Sequence, residues 1–563
     1  MFKKSFLLAV LFLAALQIAW FGVSMSAYAE SVDTAWVRTY NGPGNDTDDA
    51  FAIAVDDSGY VYVTGYSYGE SGNQDFATIK YYPNGDTVWV RRYNGPADLG
   101  DWARALVLDD SCYVYVTGRS YDNGTNYDYT TIKYYPNGDT AWLRRYNGPS
   151  GTDMDDAFAI AVNDSGYVYV TGASYASGTS ANYGTVKYKP NGDTAWARRY
   201  NGPEDYVDYG NAIGVDGSGN VYVTGTSYDT VGHLDYVTIK YAPNGDTLWF
   251  RRYKGPGGEY DEAFALTVDG GGNVYVTGYS AGVGTNYDYA TIKYYPNGDT
   301  AWVRRYDGPA SGVDKATAMA LDDSGYIYVT GYSDSTGSLQ DYATIKYDSA
   351  GNEIWVRRYN GPPGDGSDYA KALAIDKNGS VYVTGYSSGG SSDMDYATIK
   401  YYSNGETAWV MRYNGPSNDS DHGMAIAVDD SSNVYVTGYC TDSTTDDDYC
   451  TIKYVKTPSG VRDETGSRQK PKEFALSQNY PNPFNPSTKI EFTLAKSGFV
   501  TMRIYDILGR KVRTLVSENL PSGYKSVLWD GKNDRGEQIA SGIYFYELKV
   551  GESTLSKKMI LLK

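Results

Sequence analysis

The 563-residue chain is strongly acidic, with 49 basic and 68 acidic side chains and a formal net charge of −19 at neutral pH. Residues 30–456 cause this excess, because they hold 57 of the acidic and only 30 of the basic side chains. A surface this acidic repels phosphate backbones, which excludes nucleic acid as a partner. Glycine, proline and tyrosine are abundant and helix periodicity is absent, so the composition predicts an all-β chain.

The first 29 residues are organised like a secretory signal peptide. Two lysines precede an apolar run over residues 6–23, and Ala27 and Ala29 place small residues where a signal peptidase recognises them. We therefore predict cleavage between Ala29 and Glu30. The alternative is an uncleaved membrane anchor, since the run is nearly long enough to span a bilayer. No later segment is that apolar, so the mature chain is expected to have no transmembrane segment.

A tryptophan that recurs every 53 or 54 residues marks eight copies of one unit. The eight positions are Trp36, Trp89, Trp142, Trp196, Trp249, Trp302, Trp355 and Trp409. In its fullest form the unit reads TAWVRRYNGP, a variable stretch, AFAIAVDDSGYVYVTGYS, a second variable stretch, and DYATIKYYPNGD. Each unit contains four short β-like runs, separated by DDSG-type and PNGD turns of nearly constant length.

Four strands at this period predict the blade of a β-propeller. A parallel β-helix is the main alternative, but its coils are shorter and would not repeat two tight hairpin turns. The array starts on a Trp strand and ends on a TIKY strand, so the first strand can complete the last blade and leave no open edge. We therefore predict an eight-bladed propeller of four-stranded blades over residues 30–456, closed by the N- and C-terminal strands of the array.

The connections of an up-and-down blade emerge alternately on its two faces. The two constant turns therefore share one face, and the two variable stretches, such as 44–48 and 68–74, share the other. We expect binding on this variable face, because loops on a rigid scaffold carry function. Its acidic, tyrosine-rich loops suit a glycan, a peptide or another protein.

The unit resembles the SBBP-type bacterial β-propeller repeat. The resemblance rests on the A-x-x-V-D-x-x-G-x-V-Y-V-T-G core, which occurs at 52–65 and 212–225. The repeats that carry this core cover about three quarters of the chain. It implies the fold strongly and the function weakly, because that family consists largely of exported proteins of undefined role.

Residues 457–473 are polar, with prolines and glycines, and are interpreted as a linker. Residues 474–563 predict a small β-domain with alternating strands and Asn/Gly turns. The NYPNPFNP motif at 479–486 and the WDGKNDRGEQIASGIYFYEL segment at 529–548 resemble the type A C-terminal sorting domain of type IX secretion. That resemblance implies an immunoglobulin-like β-sandwich related to the FlgD Ig-like fold. It also implies an outer-membrane translocon as partner and a secreted or surface-anchored destination.

An aspartate stands seven positions before the end of every AIAV-type run, and a lysine recurs in every TIK-type run. The aspartates are Asp48, Asp101, Asp155, Asp208, Asp261, Asp314, Asp368 and Asp421. One interpretation is a structural hydrogen bond or ion pair made eight times. The alternative is a ring of carboxylates near the central channel that binds cations, with calcium as the candidate ion. No other cofactor is predicted.

The sequence offers few residues that could form a catalytic site. The two histidines, His233 and His422, fall in variable loops of different units and are expected to be exposed. Three G-x-S-x-G matches lie at the same point of three repeats, where no helix follows the strand, so they do not predict a nucleophile elbow. We therefore expect a non-catalytic protein with a binding role. The alternative is a secreted hydrolase or lyase that acts on polysaccharide.

Cys440 and Cys450 replace Ser67 and Ala77 of the first unit and flank one loop of the eighth. An exported protein can keep a disulfide, so we predict one between them as a structural staple. Cys112 replaces a turn glycine and is expected to be unpaired.

Overall fold

A computed structural model describes residues 30, 32–457 and 474–562, except 125, 150, 152, 177–179, 285, 337, 363–365, 390–391, 443–445, 477–478, 480–483, 485–487 and 552. The predicted signal peptide and the predicted linker from residue 458 lie outside the described residues. The chain divides into two compact units, Met1–Thr457 and Pro458–Lys563. The described residues form strands and turns, and no helix among them is long and apolar enough to cross a membrane.

Each repeat contributes four antiparallel strands. The Trp strands are β1 (Val32–Tyr40), β5 (Thr87–Tyr93), β9 (Thr140–Tyr146), β13 (Thr194–Tyr200), β17 (Thr247–Tyr253), β21 (Thr300–Tyr306), β25 (Glu353–Tyr359) and β29 (Thr407–Tyr413). The strands that begin with the recurrent aspartate, called first strands below, are β2 (Asp48–Val55), β6 (Asp101–Leu108), β10 (Asp155–Val162), β14 (Asp208–Val215), β18 (Asp261–Val268), β22 (Asp314–Leu321), β26 (Asp368–Ile375) and β30 (Asp421–Val428).

The remaining two strands of each repeat carry the VYVTG and TIKY sequences. The second strands are β3 (Val61–Tyr68), β7 (Val114–Asp122), β11 (Val168–Tyr175), β15 (Val221–Tyr228), β19 (Val274–Ala281), β23 (Ile327–Ser335), β27 (Val381–Gly389) and β31 (Val434–Asp442). The third strands are β4 (Gln74–Tyr81), β8 (Asn126–Tyr134), β12 (Ala181–Tyr188), β16 (Leu234–Tyr241), β20 (Tyr287–Tyr294), β24 (Ser338–Tyr347), β28 (Ser392–Tyr401) and β32 (Asp446–Lys456).

These strands form four-stranded sheets, numbered here by their first strands. Sheet 1 is β2-β3-β4-β5, and the same consecutive order builds sheets 2 to 7 from β6 to β29. Sheet 8 has the order β30-β31-β32-β1, so its outer strand comes from the start of the array, as predicted. First strands contact the first strands of both neighbouring sheets, β2 and β30 included, which places them at the inner edge of the array.

The two constant turns have the conformations that their glycines predict. Gly59 in the DDSG turn has φ +78° and Gly85 in the PNGD turn has φ +87°, values that favour glycine. An added Cβ at Gly85 would also lie 2.8 Å from the Trp36 ring of sheet 8. The PNGD glycine therefore allows a close approach between sheets as well as a tight hairpin.

The core consists of layers between consecutive sheets. Between sheets 1 and 2, Trp89, Tyr62 and Phe76 pack against Val114 and Ile132. The indole N–H of Trp89 donates to the carbonyl of Pro136 in the next sheet's PNGD turn at 3.2 Å. Aromatic rings therefore supply both apolar area and an oriented polar bond at the boundary.

The same layer joins sheet 8 to sheet 1. Trp36 and Tyr435 of sheet 8 pack against Val61 and Tyr81 of sheet 1. The indole of Trp36 and the ammonium of Lys453 both donate to the carbonyl of Pro83, each at 3.1 Å. The last sheet thus contacts the first through the same kind of layer that lies between sheets 1 and 2.

The boundary between sheets 7 and 8 differs from the others in one polar contact. In six of the other seven sheets the third-strand lysine donates to a carbonyl in the corresponding turn of the next sheet, as Lys187 does to Pro243 at 2.9 Å. Sheet 8 has no such turn, because its fourth strand comes from the chain start. Lys400 instead pairs with the carboxylate of Glu30 at 2.7 Å, and both side chains are 6% exposed.

The C-terminal unit is a two-sheet β-domain. Its strands are β33 (Ala475–Leu476), β34 (Thr488–Leu494), β35 (Gly498–Asp506), β36 (Lys511–Leu520), β37 (Gly523–Trp529), β38 (Gly542–Val550) and β39 (Ser553–Leu561). The sheets have the orders β33-β34-β37 and β36-β35-β38-β39. Alternate residues of each sheet, such as Ile490, Met502 and Leu548, meet in one core around Trp529.

Candidate functional site

The eight recurrent aspartates are structural. Each side chain is almost fully buried at the start of a first strand. In sheet 4 the backbone N–H of Gly202 donates to Asp208 Oδ2 at 2.6 Å, and the equivalent bond from the NGP glycine recurs in all eight sheets. The repeated structural hydrogen bond is thus present, and each carboxylate fixes the loop that leads from the preceding sheet into its own sheet.

Burial changes the protonation of these carboxyls. It raises the pKa of Asp101, Asp155 and Asp314 to about 6 and that of Asp421 to about 7, against opposing hydrogen bonds. Desolvation therefore exceeds the stabilisation that the loop N–H groups give to the charged form.

The recurrent basic side chains are also engaged in structural contacts. The first arginine of a Trp strand reaches the next sheet, as Arg91 Nε does in donating to the carbonyl of Gly138 at 2.7 Å. The second arginine binds its own sheet, as Arg92 does to Asp75 at 2.8 Å. These groups hold sheets and hairpins together, so few of the recurrent charged side chains remain available to bind a ligand.

The two variable stretches of a unit do lie side by side. In sheet 5, Gly257 N–H donates to the carbonyl of Ala281 at 3.0 Å, which joins the loop after the Trp strand to the loop after the second strand. Both loops line an open pocket of about 640 Å³ with Glu259, Val283 and Asn286 in its wall. The two variable loops of this unit therefore share one surface, as predicted.

A second variable set lies inside the strands and was missed by the sequence comparison. We call it the inner belt: the second residue of each first strand and the residue paired with it on the second strand. The pairs are Asp49/Tyr66, Trp102/Arg119, Asp156/Ala173, Tyr209/Thr226, Glu262/Tyr279, Lys315/Tyr332, Tyr369/Tyr386 and His422/Tyr439. The residues just before and after each first-strand member hardly change between copies, so this difference in chemistry is local to the inner edge.

Sheets 6 to 8 give the inner belt an aromatic ladder. Ring centroids are 5.0 Å apart for Tyr332 and Tyr369, 5.2 Å for Tyr369 and Tyr386, and 3.9 Å for Tyr386 and His422. The Tyr439 hydroxyl shares a hydrogen bond of 2.5 Å with His422 Nδ1. Contacts therefore run from sheet to sheet, and all five residues are partly exposed.

Sheets 1 to 3 give the belt a mixed charged and aromatic part. Tyr66 stacks on Trp102 at 5.3 Å, and the guanidinium of Arg119 lies 4.0 Å from the Trp102 ring centroid. Arg119 also pairs with Asp156 at 3.0 Å. Burial, opposed by the Tyr66 hydroxyl and reinforced by Asp447, raises the pKa of Asp49 to about 6.

The position of His422 corrects the sequence analysis, which expected an exposed loop histidine. His422 is the second residue of β30 and stacks against Tyr386 with an interplanar angle of 13°. The variable stretch of this unit therefore continues into the strand. His233 is half-buried at the end of its loop, where its backbone N–H donates to the Asp229 carboxylate.

Burial and the nearby Lys371 ammonium lower the pKa of His422 from 6.5 to about 4. The unfolded chain therefore binds more protons than the folded chain between these pH values. We expect His422 to contribute stability above pH 6.5 that is lost as the pH falls towards 4. Because the chain has only two histidines, an NMR titration with a His422→Gln variant for assignment checks the value. A midpoint near 6.5 for His422 would contradict it.

Cys440 and Cys450 are buried free cysteines in the structure, and the disulfide between them stays a prediction. Cys440 pairs with Asp448 and Cys450 with Gly438, so the two cysteines are diagonal neighbours on β31 and β32. Their thiols are nevertheless close enough for a hydrogen bond. A hydrogen bond with Cys450 and burial raise the pKa of the Cys440 thiol, which keeps it protonated.

The cysteines accompany a third change in the same sheet. Cys450 pairs with Thr39 of β1, at the position where the other seven sheets carry the second arginine. That arginine binds the serine that Cys440 replaces, as Arg92 binds Ser67. The three changes therefore remove one polar cluster and fill its place with less polar groups. Cys112 is also free, at φ +60° in its turn.

The class that these features define is an all-β protein of four-stranded sheets in propeller-like repeats, with an Ig-like domain at the C-terminus. Residues 35–73, 195–231, 302–337 and 354–391 match the SBBP β-propeller repeat family, and residues 482–554 match the FlgD Ig-like domain family.

Among curated proteins, an uncharacterized WD repeat-containing protein of Acanthamoeba polyphaga mimivirus is 23% identical over 331 residues. The match covers 48% of this chain and only 22% of that relative's length. Among solved structures, PorZ, a type IX secretion surface component of Porphyromonas gingivalis, has 12% identity and a TM-score of 0.28, with 91% of this chain and 93% of that one covered.

Drosophila Plexin A, solved in complex with Semaphorin 1b, has 10% identity and a TM-score of 0.37, with coverage of 75% and 88%. Structural similarity at these scores carries no inference about function.

Proposed function

We propose that this chain is an exported, non-catalytic binding protein whose eight repeat sheets close into an eight-bladed ring. The inner belt carries the proposal, because it is the part of the repeat where conserved geometry presents different chemistry in each sheet. The belt carries stacked tyrosines, the partly buried Trp102 and charged residues of both signs. These groups suit a polar ligand with apolar faces, such as a glycan or a peptide segment. The adjoining variable loops would extend the same surface.

The non-catalytic assignment rests on how the repeated groups are used. Within the described residues, the recurrent aspartates, lysines and arginines bind backbone carbonyls, loop N–H groups or each other. His422 is held in its neutral form between two tyrosines. An activity screen on polysaccharides and peptides should therefore find no turnover, and turnover abolished by an inner-belt variant would refute the assignment.

Binding is tested with glycan and peptide arrays on the purified full chain. We expect a bound ligand to lose about 30-fold in affinity in Tyr369→Ala, which removes the centre of the aromatic ladder. Tyr295→Ala is the matched control, because Tyr295 is 50% exposed in a PNGD turn on the opposite face. Equal losses in the two variants, at unchanged melting temperature, would contradict a site at the belt.

We further propose that residues 474–563 direct the chain across the outer membrane through a type IX translocon, after removal of residues 1–29. The NYPNPFNP motif and the Ig-like match support this assignment. Deletion of 474–563 in a host with type IX secretion should retain the chain in the periplasm, and fusion of this domain should export a reporter. Amino-terminal sequencing of the exported chain should begin at Glu30. Export of the deleted chain would contradict the proposal.

A further inference from the structure

One cation at the inner edge of the array has no counter-charge among the described residues. Lys371 is the fourth residue of β26, and a register shift between Ala370 and Ala372 makes it the extra residue of a β-bulge. Its side chain is partly buried, and its Nζ lies 5.2 Å from the ring centroid of Tyr386 on the paired strand. Burial lowers the pKa of this ammonium, and no carboxylate opposes the shift.

The other seven sheets show what this bulge position normally does. It is apolar in four of them, at Phe51, Phe158, Phe264 and Met424, and polar in three, at Arg104, Asn211 and Thr317. Each of these polar side chains bonds to the next sheet. The guanidinium of Arg104 pairs with Asp156 at 3.0 Å, and Asn211 and Thr317 each donate to a backbone carbonyl at 2.9 Å. Lys371 is the polar residue for which the described part of the next sheet supplies no such bond.

The ion pair of Arg104 identifies the partner that Lys371 lacks. Asp156 is the second residue of β10 and His422 is the second residue of β30, so the two occupy equivalent places in the next sheet. His422 is neutral, because its pKa is about 4, and its Nδ1 shares a hydrogen bond with Tyr439. A partly buried charge without a partner is unfavourable, so a carboxylate brought by a ligand would bind at this ammonium.

The aromatic ladder borders the same ammonium. Tyr386, whose ring lies beside Lys371, also stacks on His422 at 3.9 Å and contacts Tyr369 at 5.2 Å. All five rings of the ladder are phenols or imidazole, with flat faces and a polar atom at the edge. A sugar ring offers C–H faces to such rings and hydroxyls to their polar edges. A peptide would instead bind best to apolar pockets, and the ladder contains no aliphatic side chain that could form one.

The charge of the inner edge differs from that of the whole array. Residues 30–456 hold 57 acidic and only 30 basic side chains. The inner belt and the bulge positions together carry three acidic residues, Asp49, Asp156 and Glu262, and four basic ones, Arg104, Arg119, Lys315 and Lys371. An anionic ligand that is repelled by the rest of the surface therefore meets a favourable potential at this edge.

We propose that the inner belt of sheets 6 to 8 binds a glycan that contains uronic acids. One sugar carboxylate pairs with the ammonium of Lys371, and the sugar rings lie on the faces of Tyr369 and Tyr386. The neutral ring of His422 packs beside the site and leaves the ammonium free for the ligand. This inference rests on the proposed function, which places binding at the belt, and adds the class of ligand.

The test is calorimetric titration of the full chain with a panel of uronate oligosaccharides, each beside its methyl ester. Acid and ester share their sugars and linkages and differ in the charge of the carboxyl group. We expect the bound acid to have about 30-fold higher affinity than its ester, since a hydrogen bond to a charged group is lost in the ester. This comparison uses the unmodified chain and needs no variant.

Two substitutions locate the carboxylate. Lys371→Met installs the residue that sheet 8 carries at the same position, so it should fold normally. It should lower the affinity for the acid about 30-fold and leave that for the ester unchanged. His422→Asp supplies an internal carboxylate, as Asp156 does for Arg104, and should also remove the preference for the acid. Lys377→Met is the matched control and should keep it, because Lys377 is 71% exposed in the turn between β26 and β27.

The outcomes separate the ligand class from the proposed function. Equal affinities for acid and ester, or equal losses in Lys371→Met and Lys377→Met, overturn the inference. Binding of an acidic peptide and of no uronate, with the binding lost in Tyr369→Ala, overturns the glycan class while the proposed function stands. If no glycan or peptide shows binding that depends on Tyr369, both proposals fail.

Discussion

We expect Gly225→Ala to lower the free energy of unfolding of the compact unit that holds the repeats by about 3 kcal/mol, at the upper end of the cost of overpacking. Gly225 pairs with Gly210 at the bulge of β14, and an added Cβ would lie 1.8 Å from the carbonyl oxygen of Tyr209. That neighbour is backbone of a hydrogen-bonded strand, so it cannot rotate away. Urea unfolding followed by tyrosine and tryptophan fluorescence measures the change.

Gly217→Ala is the control for this substitution. Gly217 lies in the turn between β14 and β15, where an added Cβ has no heavy atom within 4 Å and φ is not left-handed. This change should leave stability unaltered or raise it by about 0.4–1 kcal/mol, through loss of freedom in the unfolded chain. Equal unfolding midpoints for the two alanine variants would show that the bulge tolerates a side chain.

We expect Glu30→Ala to lower the free energy of unfolding of the compact unit that holds the repeats by about 3–5 kcal/mol, because it leaves the buried ammonium of Lys400 without its carboxylate. The two groups lie 2.7 Å apart and are 6% exposed. Thermal unfolding of the mature chain measures the loss. In the double variant Glu30→Ala, Lys400→Met, an apolar side chain replaces the stranded charge, so most of the stability should return.

Lys456→Ala is the matched single control. Lys456 also approaches Glu30, at 3.4 Å, but it is 63% exposed, and exposed pairs contribute about 0–1 kcal/mol. A loss in Lys456→Ala as large as that in Glu30→Ala would show that the contact with Lys400 is not the one that matters.

The strands and turns could be predicted from the sequence because their signals are local. Alternation in VYVTG and the Asn-Gly of PNGD specify a strand and a hairpin within a few residues. The inter-sheet bonds could not be predicted, since Lys187 meets Pro243 through packing of two units. Sequence comparison located the lysine but gave no reason for its partner to be a carbonyl.

The inner belt and His422 were missed for a related reason. Comparison of copies assigned every variable stretch to a loop, but the variation extends into β30 and the other first strands. A residue that differs between copies within a first strand, such as Trp102 or Glu262, is the signal that would have revealed the belt. The register of β31 and β32, which separates Cys440 from Cys450 diagonally, likewise depends on pairing that spacing alone does not fix.

The origin of sheet 8 also determines when its outer strand can pair. β1 is synthesised first, yet its partner β32 is synthesised after every other strand of the repeat array. The bonds that join sheet 8 to sheet 1 link residues as far apart as Tyr449 and Ala77, 372 positions along the chain. Contacts of such long range form slowly, because a large loop must close before they exist. A chain still emerging from the ribosome therefore has no partner for its first strand, and sheet 8 is completed only after the last strand of the array has been synthesised.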